Sequence, residues 1–461
     1  MVLKKSLILL MLSLSSTSVY LHATNVNHLN NLSLEEALQL MKRDNLELKI
    51  SKFNEQMKAQ EAKVAQGYNY GKLDLKVQAI RSNDAGNIFG FKLKSREAAF
   101  GDFGFSEFDM SGQSNPLPVQ PKDLNYPDAR NHFQTTLTYA VPLYTGGKLD
   151  QYGKITKALE KMSKLDSSKL LNEKVFQTTK TFYDISLVNQ YIDNLGNIIS
   201  NIEQLSNIVS SMKEEGFAKE IDQLEVEAKK AEVESMLSQA TYNKELAYQY
   251  LSFLLNQKVD SIQAINSLAI MPTIVKEKIQ EDNLDIQKAK LGLKITDMAI
   301  KVEESNFLPT LGAFGEYGSS DNNPLNEFTH KDFYTVGFQL DWNLFNGNID
   351  KHNLEKSKVE NMKVREQVEL AKKGICLQVR KLVTEVKSKD AEITNLETQF
   401  NFASKVYENY QEQYREGITS ISDVIIKQSK ELEVLLKLLT VKNDRNAKVF
   451  ELTSIINKGE I

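Results

Sequence analysis

Residues 334–345 read Tyr-Thr-Val-Gly-Phe-Gln-Leu-Asp-Trp-Asn-Leu-Phe. Successive side chains of an extended segment point to opposite faces. Tyr334, Val336, Phe338, Leu340, Trp342 and Leu344 therefore share one face, and Thr335, Gly337, Gln339, Asp341 and Asn343 the other. Three further segments carry this period. Leu73, Leu75, Val77 and Ala79 alternate with Lys72, Asp74, Lys76 and Gln78. Phe133, Leu137, Tyr139, Val141 and Leu143 alternate with Gln134, Thr136 and Thr138, and a weaker run is Leu311, Ala313, Gly315, Tyr317. Each run has roughly 8 to 12 residues, the length with which a tilted strand crosses a bilayer, apolar side to lipid and polar side to a lumen. A half-buried sheet in a soluble domain has the same alternation. Aromatic residues near the segment ends (Tyr139, Tyr144, Trp342, Phe345) favour the membrane.

The other period is helical. Val188, Ile192, Leu195, Ile199, Ile202, Leu205, Val209 and Met212 step by three or four residues. The eight prolines, at 116, 118, 121, 127, 142, 272, 309 and 324, leave 143–271 and everything after 324 empty of helix breakers. Long helices are expected from about Leu149 to Met212 and from about Ile349 to Tyr414. At 1.5 Å per residue each spans about 95 Å, which suits a coiled coil or a helical barrel.

Composition narrows the class. The 461 residues carry 57 Lys+Arg against 61 Asp+Glu, so a basic nucleic-acid binder is excluded. A mean hydropathy of -0.39 excludes a bundle of apolar membrane helices. One cysteine, Cys376, excludes an intrachain disulfide or a cysteine-cluster zinc site, and the five histidines show no metal spacing. No cofactor is called for. At the start, Lys4 and Lys5 precede the apolar run Leu7 to Leu14 and a small-residue exit near Ala23, the pattern of an export signal without a lipidated cysteine.

The two halves repeat each other. Asp44-Asn45-Leu46-Glu47-Leu48 recurs 238 residues later as Asp282-Asn283-Leu284-Asp285-Ile286. Pro142-Leu143-Tyr144-Thr145 matches Asn343-Leu344-Phe345-Asn346 at an offset of 201, which also aligns Glu215-Gly216 with Glu416-Gly417, Asp222 with Asp423 and Asn256 with Asn457. A constant offset over more than a hundred residues marks duplication. The change of offset gives the first half about 37 extra residues, in a Phe- and Gly-rich stretch from about Asn83 to Tyr126 that reads as a longer hairpin loop. The expected division is a leader, 1–23, a first repeat, 24–270, with loop 81–131 and a turn at 213–221, and a second repeat, 271–461, with loop 318–332 and a turn at 415–422. Two strands per repeat make four per chain. Four strands cannot close, and open edges are forbidden in lipid, so transmembrane strands imply oligomerisation; three copies give twelve strands.

These features resemble the TolC-like outer-membrane efflux proteins over essentially the whole mature chain. The carrying residues are Leu34-Glu35-Glu36-Ala37-Leu38, Pro142-Leu143-Tyr144-Thr145-Gly146-Gly147, Trp342-Asn343-Leu344-Phe345-Asn346-Gly347, and the paired turns Gly216 to Asp222 and Gly417 to Asp423. The resemblance implies an α+β membrane protein, a homotrimer with a twelve-stranded barrel in outer-membrane lipid, continuous with a periplasmic α-helical barrel. It further implies docking on a periplasmic adaptor and an inner-membrane RND or ABC pump, as the exit duct of tripartite efflux or type I secretion. It makes Gly216 and Gly417 the adaptor-docking turns, and Asp222, Asp423, Tyr414, Glu225 and Arg415 the aperture candidates. Asp222 and Asp423 equally fit a helix-capping role. Some members carry a second aspartate three residues after the aperture one; here that position is Ile426, against Glu225 in the first repeat. Arg415 reads as a substitute ion-pair partner or a solvated charge.

Other signals carry no chemistry. Gly146-Gly147-Lys148 lacks the remainder of a phosphate loop, and Gly312, Gly315 and Gly318 suit close strand packing. His132 and His330 read as solvated loop histidines, Cys376 as a packed thiol, and Ser33 with Glu36 as a capping box. The competing reading is a periplasmic or surface coiled-coil scaffold or adhesin without a pore. No nucleophile–base–acid grouping points to an enzyme.

Overall fold

The computed structural model describes residues 28–456 except 110, 114 and 116, so the expected leader and Asn457 lie outside the described residues. The helices are α1 (Leu34–Asp44), α2 (Leu46–Gly67), α3 (Ala85–Lys94), α4 (Lys122–Asn125), α5 (Lys148–Glu214), α6 (Glu220–Leu255), α7 (Lys276–Asp282), α8 (Leu284–Ser305), α9 (Ile349–Arg415) and α10 (Ile421–Ile456). The strands are β1 (Lys72–Ser82), β2 (Arg130–Tyr144), β3 (Thr310–Asp321) and β4 (Asp332–Asp341). The order α2-β1-β2-α5-α6 recurs as α8-β3-β4-α9-α10. Helices α5 and α9 have 67 residues each, as expected where proline is missing. Ser33 caps α1 as a capping box with Glu36, in agreement with the sequence.

The chain forms two compact units, and each takes segments from both repeats. One comprises residues to Leu46, Glu173–Pro272 and Leu382–Ser454; the other comprises Glu47–Asn172, Thr273–Lys381 and residues from Ile455. The repeat mates Asn45 and Asn283 make equivalent bonds, one in each unit. Asn45 donates to the Leu254 carbonyl and Asn283 to the Ile455 carbonyl, both at 2.9 Å, which keeps the 201-residue spacing between the acceptors.

The first unit is built on the heptad-like seam. Leu195, Ile202, Leu205 and Val209 of α5 are buried against Val226 and Val233 of α6, Tyr407 and Tyr414 of α9, and Ile421, Val424 and Leu432 of α10. Arg445 of α10 holds the segment after α6: its guanidinium donates to Asp390 at 2.8 Å and to the Ala269 carbonyl, while Asn446 accepts from the Ala269 N–H at 2.9 Å.

The second unit holds one antiparallel sheet in the order β1-β2-β3-β4. Its register is the decisive finding of the fold. Leu73 pairs with Tyr139, Tyr139 with Gly315 and Gly315 with Val336; Leu75, Leu137, Tyr317 and Tyr334 form the next row. All four apolar stripes therefore lie on one face. Leu75, Val77, Tyr334, Val336 and Phe338 are each more than 65% exposed in the chain, so that face has no cover of its own. The opposite face carries Asp74, Thr138, Glu316 and Thr335 in one row. β1 and β4 are open edges. Two strand glycines have no room: a Cβ at Gly318 would lie 2.5 Å from the Thr135 carbonyl oxygen, and one at Gly337 would lie 2.8 Å from the Phe314 ring.

Three expectations change. β3 runs past Gly318 to Asp321, because Ser319, Ser320 and Asp321 continue the pairing with β2; the loop is 322–331 rather than 318–332. The long loop begins after Ser82 and is folded, containing α3 and α4. His132 is neither in a loop nor solvated. It is a β2 residue, 2% exposed and stacked on Phe91 of α3 at 4.1 Å. His330 is exposed, bonded to Glu327 at 2.9 Å.

Candidate functional site

The two turns occupy 215–219 and 416–420, shorter than expected because α5 and α9 continue to Glu214 and Arg415. In the first, Phe217 donates its N–H to the Met212 carbonyl at 2.7 Å and Gly216 to Lys213 at 3.0 Å. In the second, Ile418 donates to Gln413 and Gly417 to Tyr414, both at 2.9 Å. This bond pair is a Schellman ending, which requires a left-handed residue after the helix. Gly216 and Gly417 provide it with φ of +84° and +73°. Space around both is open, so the backbone, not packing, selects glycine. Phe217 and Ile418, next in sequence, are exposed.

Both aspartates occupy the third position of the helix that follows. Asp222 accepts from the Lys219 N–H at 2.8 Å. Asp423 accepts from the Ser420 hydroxyl at 2.6 Å and from Thr419 at 3.2 Å. The Ser420 hydroxyl, with Thr419 assisting, holds the Asp423 carboxyl below the usual range, and Asp423 is exposed. Tyr414 is buried; its hydroxyl has no hydrogen-bond partner among the described residues, and burial followed by the nearby Asp222 charge pushes it up. Of the expected group, Tyr414 and Asp222 are thus linked through the Asp222 charge, with no hydrogen bond between them. Arg415 does not join them, pairing at 2.9 Å with Glu412, one turn back on α9. Glu225 accepts from the Ser422 hydroxyl at 2.7 Å, tying α6 to α10 across the repeats.

Sequence reasoning missed this tie and a polar layer behind it. Gln428, 1% exposed, donates to the Tyr407 hydroxyl at 3.3 Å, and burial pushes Tyr407 up to about 12, with Glu431 adding to the shift. These are polar residues on an otherwise apolar helical stripe, the one signal that points to them. Glu431 is itself pushed up, first by burial and also by Glu408, against a bond with Ser404. A carboxyl raised in the fold binds its proton more tightly than in the unfolded chain. Its contribution is fully present below the ordinary glutamate range and is lost as pH rises through the folded value. Glu431→Gln is therefore expected to raise the denaturation midpoint at about pH 7 and leave it unchanged near about pH 3, which denaturant titrations at the two pH values check.

With this geometry in view, relatives can be weighed. Residues 275–458 match the family model described as outer membrane efflux protein. The chain is similar to that family over these residues, about two fifths of its length. No curated protein matches the chain in sequence. Solved structures match its fold. CusC, whose crystal structures concern folding and transmembrane channel formation, is 12% identical with a TM-score of 0.77, covering 92% of this chain and 92% of its own. The Campylobacter jejuni CmeC outer membrane channel is 15% identical with a TM-score of 0.76, over 92% and 86%. The open state of the Neisseria gonorrhoeae MtrE outer membrane channel is 12% identical with a TM-score of 0.74, over 92% and 89%. The overall fold of the chain is thus TolC-like, mostly helical with one four-stranded antiparallel sheet.

Proposed function

We propose that three copies of this outer membrane efflux protein form a passive exit duct, docked on a periplasmic adaptor and an inner-membrane RND or ABC pump. The observation that carries the reading is the sheet. Its apolar rows lie on one exposed face, its polar rows on the other, and β1 and β4 end in unpaired edges. Lipid satisfies the apolar face, and edge pairing between copies satisfies the backbone. Twelve strands close the wall, and the polar face lines the bore. The protein acts in the outer membrane with its helices in the periplasm, and a duct of this kind performs no bond chemistry. Membrane fractionation and planar-bilayer conductance test the reading. Outer-membrane trimers that conduct support it, and a soluble, non-conducting particle removes it in favour of a scaffold.

In this duct Gly216 and Gly417 form the adaptor-docking turns. Asp222 and Asp423 ring the aperture, with Tyr414, Glu225 and Arg415 around it. Three copies of each aspartate about one axis repel anions and attract cations. Gly417→Val forces a β-branched residue into left-handed backbone, a strain of about 1–2 kcal/mol that nothing nearby adds to. Adaptor-dependent export is expected to fall more than trimer yield. Equal loss of both would make the turn a folding element alone.

A further inference from the structure

The extra residues of the first repeat fall in an insert, 83–129, whose described residues include α3 and α4 and lie at one end of the sheet. Ile88 and Phe91 of α3 are buried, and Phe91 stacks on His132 with ring planes 5° apart. Glu97 pairs with Arg130 of β2 and with Lys331, which also pairs with Asp321 of β3 at 2.8 Å. Arg96 donates to the Asp332 carbonyl of β4 at 2.6 Å. The insert is thereby anchored to three strands.

Two facts fix where this anchoring places it. The first is the face. His132 shares its strand parity with Gln134, Thr136 and Thr138, the polar side, and not with Phe133, Leu137 and Tyr139. The second is the end. The insert leaves β1 at Ser82 and enters β2 at Arg130, whereas α2 and α5 join those strands at the opposite end, Lys72 and Tyr144.

We infer that three inserts meet inside the helix-distal mouth of the barrel and form a second constriction there. The inference rests on the duct reading, which turns the polar face inward and the helices to the periplasm. Size supports it. Twelve strands about 4.8 Å apart and tilted about 40° enclose a backbone diameter of about 24 Å. Three helices about 10 Å wide need a circle of about 22 Å, so three copies of α3 alone nearly fill the opening. The insert also exposes aromatic side chains, Phe100 at 82% and Phe105 at 59%. Within a water-filled mouth these cannot meet lipid. A second copy of the chain, continuous with the edge pairing of β1, is the apolar partner at hand.

The test reads access to the polar face from outside the cell. Thr138→Cys is placed in a Cys376→Ser chain, and intact cells are treated with a small charged maleimide or with one carrying a bulky polyethylene glycol. The expected result is ready labelling by the small reagent and labelling about tenfold slower or more by the bulky one. Removal of 99–120 should bring the two rates together. Equal rates in the full-length chain would overturn the constriction while leaving the duct intact. No labelling of intact cells by either reagent would overturn the size-selective constriction; if the small reagent also failed on permeabilised cells, Thr138 would not face water, and the duct would fall with it. Because the comparison of reagents uses the untrimmed chain, it stands even if the trimmed variant fails to fold.

Discussion

Val336→Arg is expected to remove the protein from the outer membrane, while Thr335→Arg, one residue earlier, leaves trimers in place. The two side chains share β4 but face opposite ways. Val336 is 73% exposed in the chain and lies in the row of Leu73, Tyr139 and Gly315, the face assigned to lipid. Arginine on the lipid face near the midplane of a barrel costs about 2–4 kcal/mol per copy, so about 6–12 kcal/mol for three. That is comparable with the whole stability of a typical domain. Thr335 pairs with Glu316 on the polar face, where an arginine meets water and a carboxylate. Outer-membrane fractionation and the yield of folded trimer measure the difference. Equal behaviour of the two variants would mean that the apolar face does not meet lipid, and the barrel reading would fail.

The second large effect is expected at the proposed aperture. Asp222→Asn combined with Asp423→Asn should weaken the block of conductance by a trivalent cation by about tenfold or more, since the proposed trimer would lose six carboxylates about its axis. Asparagine is the informative replacement because its amide oxygen can still accept the bonds that Lys219 and Ser420 now donate to the two carboxylates. Capping is thus retained while charge is lost. In the unmodified protein the block should survive acidification well into the carboxylate range. The Ser420 hydroxyl holds Asp423 below its ordinary value, so the charge disappears only as pH falls through that lowered value. A double variant blocked as strongly as the parent would leave the aspartates as helix caps and nothing more.

Much of this was legible in the chain because it is local. Proline-free stretches allow 67-residue helices, the period of two marks strands, and the 201-residue offset aligns Gly216 with Gly417 before either φ is known. The sequence by itself determined the four strands, the two long helices, their duplication and the glycines that end α5 and α9, since periodicity and backbone strain act over a few neighbouring residues. Only the tertiary structure decided which stripes share a face, that His132 is buried under Phe91, that the Asp222 charge reaches Tyr414, and that Ser422 bonds Glu225. These facts join residues tens to hundreds of positions apart. Register and burial arise from packing, and no local period encodes them.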